Sequence, residues 1–250
     1  MEDFCVELAG VAIQIRCTYP ENRRFLQGYL TQRAPAFTAE PSEAELLWAQ
    51  AEYDRLDEAE GRPARRRSGA ALENMALHRL LAQRLTEYDV LLMHGSALSL
   101  DGEGYLFTAP SGTGKSTHAA LWRQLFGDRV VMLNDDKPLL RVEPEGVTVW
   151  GTPWDGKHRL SRNASAPLRA VARIERAAEN RVLPLSRADA FPILMTQAFA
   201  SKDPAVMGRI LRLEQRILEQ VPFFRLQCNM EPEAAQTAYA GMILKPSISP

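Results

Sequence analysis

Eight residues, Ala109-Pro-Ser-Gly-Thr-Gly-Lys-Ser116, constrain this chain more than any other stretch. They match a phosphate-cradling loop at every position but the first, where Ala109 replaces the usual glycine. Such a loop turns its backbone N–H groups inward toward phosphate oxygens. Gly112 and Gly114 allow the positive φ or close approach this requires. The first position only starts the turn, and Ala109 costs little there at negative φ. Lys115 reaches the β- and γ-phosphates as a point charge, and the Ser116 hydroxyl can ligate Mg²⁺. The flanks agree. Residues 105–108 read as a short buried strand leading in. Residues 117–126 read as a helix leading out, with Ala119, Ala120, Leu121, Trp122 and Leu125 packing and the N-terminal dipole aimed at the phosphates.

Apolar strands continue on both sides. Residues 90–93 and 96–100 read as strands separated by His94-Gly95, and Asp101-Gly102 is a hairpin signal before the loop strand. Residues 129–133 read as a buried strand ending in Asn134-Asp135-Asp136. Two acids at the carboxyl end of a strand beside such a loop stand where Mg²⁺ and a γ-phosphate sit. The bland alternative is an Asx turn closing the strand. Residues 151–158, GTPWDGKH, form a shaped loop rather than an element interior. Lys157, His158, Arg159 and Arg162 make it cationic, so it completes a triphosphate site, meets an anionic acceptor, or is simply an exposed turn. Beyond it the pattern gives strands at 167–174, 180–185 and 223–227, helices at 187–199, 204–220 and 231–244, and a frayed end at 245–250.

The first 88 residues carry no constellation of acids, histidines or cysteines with useful spacing. Residues 4–17 read as one or two strands broken at Gly10, and residues 20–30 as a short helix. Ser42-Glu-Ala-Glu45 is a capping box opening a helix in which Leu46, Ala49, Tyr53 and Leu56 recur, with Gly61 and Pro63 ending it. Arg62–Arg67 is a basic run, either a solvated linker or a contact for an acidic partner or a phosphate. Residues 72–88 form a helix with Leu77, Leu81, Leu85 and Tyr88 on one face. The expected organisation is an N-terminal α+β region, 1–88, packed on a core, 89–250.

Net charge is −1, so no bulk electrostatic case for nucleic acid or an anionic membrane exists. Three cysteines without a CxxC argue against a disulfide framework or zinc site and for a reducing cytoplasm. The acidic MEDF start has no signal-peptide character, and no apolar run is long enough to span a bilayer.

His94-Gly95, the glycine-rich loop and Asp135-Asp136 soon after it resemble the HPr kinase/phosphorylase family and, more distantly, the ATP-dependent phosphoenolpyruvate carboxykinases. The resemblance spans about Val90 to Val149. It is strongest to the smaller HPr-kinase-related proteins found near peptide-modification genes, some of which phosphorylate a peptide serine. It implies an α/β fold with a P-loop kinase core of that type, a mixed sheet with flanking helices. It implies that Ala109, Pro110, Ser111, Gly112, Thr113, Gly114, Lys115, Ser116 and Thr117 bind ATP. Ser116 and Asp135 then hold Mg²⁺, Asp136 is the general base for an acceptor hydroxyl, and His94 and Lys115 complete the catalytic set. The family's glutamate metal ligand has Thr148 in its place, and Arg187 is a positional candidate for the family's late arginine. The family also suggests a homo-oligomer.

The resulting expectation is a cytoplasmic ATP-dependent kinase that transfers the γ-phosphate to a hydroxyl of a peptide, protein or small molecule. The alternative is a non-catalytic ATP-binding accessory protein of a peptide-modification system.

Overall fold

The structure, a computed structural model, describes residues 1–243. The chain divides into two compact units, Met1–Tyr88 and Asp89–Pro250.

The first unit opens on the antiparallel hairpin β1 (Glu2–Leu8) and β2 (Val11–Cys17). Its two-residue turn, Ala9-Gly10, has φ of 48° and 76°, which matches the twist of the flanking strands. Helix α1 (Pro20–Phe25) is shorter than its expected 20–30. After Leu26 the chain tightens into a 3₁₀ turn, Gln27–Tyr29, that buries Tyr29. A three-residue strand, β3 (Phe37–Ala39), pairs parallel with β2 and is too short to show a period in sequence. Helix α2 (Glu43–Ala59) starts at the expected capping box, with Ser42 and Glu45 bonded reciprocally. Helix α3 (Gly69–Leu85) begins earlier than the expected Leu72, because the Ser68 hydroxyl accepts from Ala71 N and caps it there. It passes into a 3₁₀ turn over Thr86–Tyr88.

Two buried acids tie this unit together. The Glu73 carboxylate accepts from Thr18 N (2.6 Å), Tyr19 N (3.1 Å) and Asn22 Nδ2 (2.7 Å). Asp57 accepts from Arg62 Nε (3.2 Å) and Arg67 Nη2 (2.5 Å). Burial pushes the Asp57 carboxyl up, and the two guanidiniums outweigh it and hold it below the ordinary range. The basic run is therefore not wholly a solvated linker, since two of its arginines neutralise a buried carboxylate.

The second unit contains β4 (Val90–Leu92), β5 (Ser96–Leu100), β6 (Glu103–Thr108), α4 (Lys115–Phe126), β7 (Val130–Asn134), β8 (Leu139–Glu143), β9 (Gly146–Trp150) and β10 (Ser165–Arg176). It continues with β11 (Arg181–Pro184), α5 (Arg187–Gln197), α6 (Pro204–Gln220), β12 (Phe223–Cys228) and α7 (Glu233–Ile243). The nine strands form one mixed sheet, ordered β4-β8-β9-β10-β6-β5-β7, with β12 on β10 and β11 on β12. The chain is thus a mixed α/β protein. Strands β6, β10 and β12 pair parallel, and β7 shares their direction because β5 runs antiparallel to both β6 and β7. The carboxyl ends of β7, β6, β10 and β12 therefore share one rim, which is where open α/β sheets take ligands.

Alternation along the strands builds a core on each face. Leu106 and Val171 point into a cluster with Leu194 of α5 and Ile210, Leu213 and Ile217 of α6. Tyr105, Phe107, Ala170 and Ala172 point the other way, against Ala119 and Trp122 of α4 and Ala235 and Ala238 of α7. Helix α6 buries Ile210, Leu213 and Ile217 along one face, and Asp203 caps it by accepting from Ala205 N and Val206 N.

Several expectations are corrected here. Helix α4 starts at Lys115, two residues before the expected 117, with Ala120 and Leu125 on its exposed face. Strand β10 is longer than its expected 167–174. Helix α5 stops at Gln197 because Ala198 bridges Met93 and Phe199 N donates to Leu92 O (2.8 Å). The β8–β9 hairpin was not expected at all. The expected fraying of 245–250 and the helix end at Leu244 lie outside the described residues. Among the described residues, no helix is long and apolar enough to cross a membrane.

Candidate functional site

The rim is built from β6 outward. Ala109 is buried at the end of that strand, and Pro110 and Ser111 carry the chain into solvent. Gly112 and Gly114 have φ of 77° and 127°, and an added Cβ at either would meet nothing within 4 Å. Backbone conformation, not crowding, is what requires glycine there. Thr113 closes the turn, its N–H and hydroxyl both donating to Pro110 O at 3.3 and 2.9 Å. Ser116 and Thr117 are exposed in the first turn of α4. The loop is clipped from the side by Arg176, the last residue of β10, whose Nε and Nη2 donate to Thr113 O (3.0 Å) and Gly112 O (2.5 Å).

Lys115 is buried, and its Nζ donates to Ala109 O (2.9 Å) and Pro110 O (3.3 Å). Burial lowers its pKa and Lys137 adds to this, while Asp136 and Asp135 oppose it. That mutual influence places the loop lysine within electrostatic reach of both acids.

The acids follow β7. The buried Asn134 side chain organises the bend. Its Oδ1 accepts from Asp136 N (2.8 Å) and Lys137 N (2.5 Å), and its Nδ2 donates to Thr152 O (3.1 Å) and Trp154 O (3.1 Å). This is the Asx turn that the bland alternative expected at the strand end. Asp135 is buried. The Ser96 hydroxyl donates to its Oδ1, and its N–H donates to Asp155 Oδ1 (2.7 Å). Asp136 is more open. Its Oδ1 accepts from Lys137 Nζ (2.7 Å) and lies 3.5 Å from His94 Nε2. His94 stands between β4 and β5, where its N–H donates to Gln197 O (2.7 Å). Burial lowers the His94 pKa, and Lys115 and Lys137 lower it further. Asp136 and a hydrogen bond with Gln197 oppose this, and the net shift is downward.

The fold thus gathers His94, residues 109–117, Asp135 and Asp136 on one rim. Thr148 and Arg187 stand apart from it. Thr148 lies inside β9, paired with Arg141 and Pro167. Arg187 opens α5, whose other end holds Gln197 beside His94, so about 15 Å of helix separates it from the site. Lys157, His158 and Arg159 are exposed, as is Arg162. What ties the 151–162 loop to the site is its acid, Asp155, which accepts from Asp135 N and Ser161 N (2.7 Å each). Gly151 allows the close approach, since a Cβ there would collide with the carbonyls of Arg162 and Leu133.

Sequence reasoning missed Ser96, Asn134, Lys137, Asp155, Arg176 and Gln197. Asn134 and Lys137 could have been found, because they flank the two acids directly. Gln197 and Arg176 carry no local signal, since only the sheet brings them to the rim.

Hard oxygen donors are the set that suits Mg²⁺. Asp135, with one oxygen held by Ser96, and the Ser116 hydroxyl fit a metal that takes most of its ligands from phosphates and water. Among the described residues no three His, Cys, Asp or Glu side chains converge as an all-protein metal site.

Comparisons with known proteins give a family and likenesses among solved structures. Residues 63–233 match the family described as SynChlorMet cassette protein ScmC. No curated protein matches. Among solved structures, the Hpr(Ser) kinase/phosphatase from Coxiella burnetii aligns at 10% identity over 62% of this chain and 93% of its own, with a TM-score of 0.31.

Proposed function

The chain belongs to the SynChlorMet cassette protein ScmC family, and from that premise and the rim just described we propose an ATP-dependent kinase that moves the γ-phosphate to a hydroxyl, that of a peptide or protein serine. One observation carries the reading: the glycine-rich loop with its buried Lys115 shares a rim with Asp136, which keeps one carboxylate oxygen for a substrate. Both contacts to Asp136, from Lys137 and His94, fall on Oδ1. Oδ2 is then the proton acceptor for the incoming hydroxyl.

In this reading, loop amides from 111–117 and the α4 N-terminus hold the triphosphate. Lys115 exchanges its carbonyl partners for phosphate oxygens. Mg²⁺, held by Ser116 and Asp135, supplies charge neutralisation at the phosphates when bound. Position matters more than basicity for Asp136, because the hydroxyl proton leaves late, as the new bond forms. His94 and Lys137 fix the carboxylate's orientation, and the Asn134 bend fixes the backbone beneath it.

The second reading is a non-catalytic ATP-binding accessory protein of a peptide-modification system. It draws on Thr148, which stands within β9 and brings no carboxylate to the rim. Incubation with γ-labelled ATP, Mg²⁺ and hydroxyl-bearing peptides encoded beside this chain separates the two. Label on a serine supports the kinase. Nucleotide binding without transfer to any of them supports the accessory protein.

A further inference from the structure

A cavity of 340 Å³ opens beside the glycine-rich loop. Thr113, Gly114 and Thr117 form the side it shares with the loop and the first turn of α4, and Leu121, Ile174 and Met230 form its apolar wall. None of its lining residues belongs to the His94–Asp136 cluster. A ligand whose phosphates lie on the loop amides can therefore continue into this space without crossing the acids.

Its size and chemistry limit the occupant. Small-molecule sites run from roughly 300 to 1,000 Å³, so this one holds a ring system and not a whole nucleotide. Three of the polar side chains at its edge are engaged elsewhere. Arg176 donates to the carbonyls of Gly112 and Thr113. Asn229 Oδ1 accepts from Glu231 N (3.1 Å), and its Nδ2 donates to Ala178 O (3.1 Å). His118 Nε2 accepts from Trp122 Nε1 (3.0 Å). Strong discrimination between related ligands needs buried groups that only the right ligand satisfies; the Thr117 hydroxyl is exposed, and a hydroxyl both donates and accepts, so it suits either base.

We propose that this cavity is the nucleobase site, that it holds the base by apolar enclosure, and that it separates adenine from guanine poorly. The inference rests on the ATP reading above and places the part of the nucleotide which that reading leaves without a site.

The test is calorimetry on the full chain in Mg²⁺ with ATP, GTP and inorganic tripolyphosphate. ATP and GTP should bind within about threefold of each other, and each about tenfold or more tighter than tripolyphosphate. Ala177→Leu, which adds bulk at the cavity edge, should weaken both nucleotides about tenfold and leave tripolyphosphate unchanged. Met230→Ala alters a residue that is 76% exposed and so spares the fold; it should act in the same direction, more weakly. Tripolyphosphate binding as tightly as ATP overturns the base site while leaving the phosphate loop standing. So does unchanged ATP affinity in Met230→Ala, or a base preference near a hundredfold. A parent chain that binds neither probe overturns the ATP reading and the base site together.

Discussion

Lys137 Nζ donates to Asp136 Oδ1 at 2.7 Å, so the carboxylate proposed to take the acceptor's proton has a cation from its own chain neighbour on one oxygen. The adjacent acid is held differently: Asp135 is buried and bonded by the Ser96 hydroxyl. Two consecutive acids in such unlike settings should fail in unlike ways. Asp136→Asn keeps size and reach but cannot take a proton. It should lower phosphate transfer by roughly a hundredfold or more and change ATP affinity far less. Asp135→Asn should instead raise the Mg²⁺ concentration needed for half-maximal transfer. A magnesium titration of both variants, with nucleotide affinity measured alongside, distinguishes them. Parental transfer by Asp136→Asn would shift the case to the accessory-protein reading.

Lys115→Ala removes the one buried cation of the loop. Charged hydrogen bonds contribute about 1.5–3 kcal/mol each, so ATP affinity should fall by roughly tenfold to a hundredfold. The loop's shape should survive, because Thr113 and Arg176 hold it independently of the lysine. Calorimetry reads the first effect and thermal unfolding the second. Equal affinity in variant and parent would remove the loop from nucleotide binding.

Asn134→Ala should cost both stability and transfer. The N–H groups of Asp136 and Lys137 lose their acceptor, and the carbonyls of Thr152 and Trp154 lose a donor. Breaking a buried network of this kind destabilises by about 3 kcal/mol. Urea unfolding should show the loss, and Asn134→Asp, which keeps the acceptor, should recover part of it.

Stability should also depend on pH through Glu214. This carboxyl is buried in α6, its two oxygens have no hydrogen-bond partner, and burial raises its pKa from 4.5 to about 7. The folded state therefore binds the proton more tightly than the unfolded state. Its stabilising effect is full below pH 4.5 and is lost as pH rises toward 7, a change on the order of 3 kcal/mol. Glu214→Gln cannot ionise and should flatten that limb of the unfolding-midpoint profile. An unchanged slope in the variant would assign the pH dependence to other groups.

The parts of the site that could be read in the sequence are those whose chemistry is local. A glycine-lysine loop between a strand and a helix, and two acids ending the next strand, announce themselves by spacing. The β8–β9 hairpin had a signal too, since Val147 and Val149 alternate with Thr148 just past Glu143-Pro-Glu-Gly146. Asp57 paired with Arg62 and Arg67 was not legible, because a basic run looks the same whether it faces water or a buried acid. Gln197 and Arg176 were not legible for a further reason. Each reaches the rim only when the sheet sets its element beside β4 or β6.

The Arg176 clip has a thermodynamic consequence. With Arg176 on the carbonyls of Gly112 and Thr113, and Thr113 folded back on Pro110, the loop has its binding shape fixed by its own hydrogen bonds. Most of the conformational entropy that ordering a glycine-rich segment would cost on association has already been lost on folding. If the loop takes a nucleotide as proposed, capture should proceed as docking onto a preformed cradle, at a rate set by diffusion and desolvation rather than by loop closure. On the kinase reading, cutting the clip with Arg176→Ala should transfer that entropic cost to the binding step and weaken nucleotide affinity.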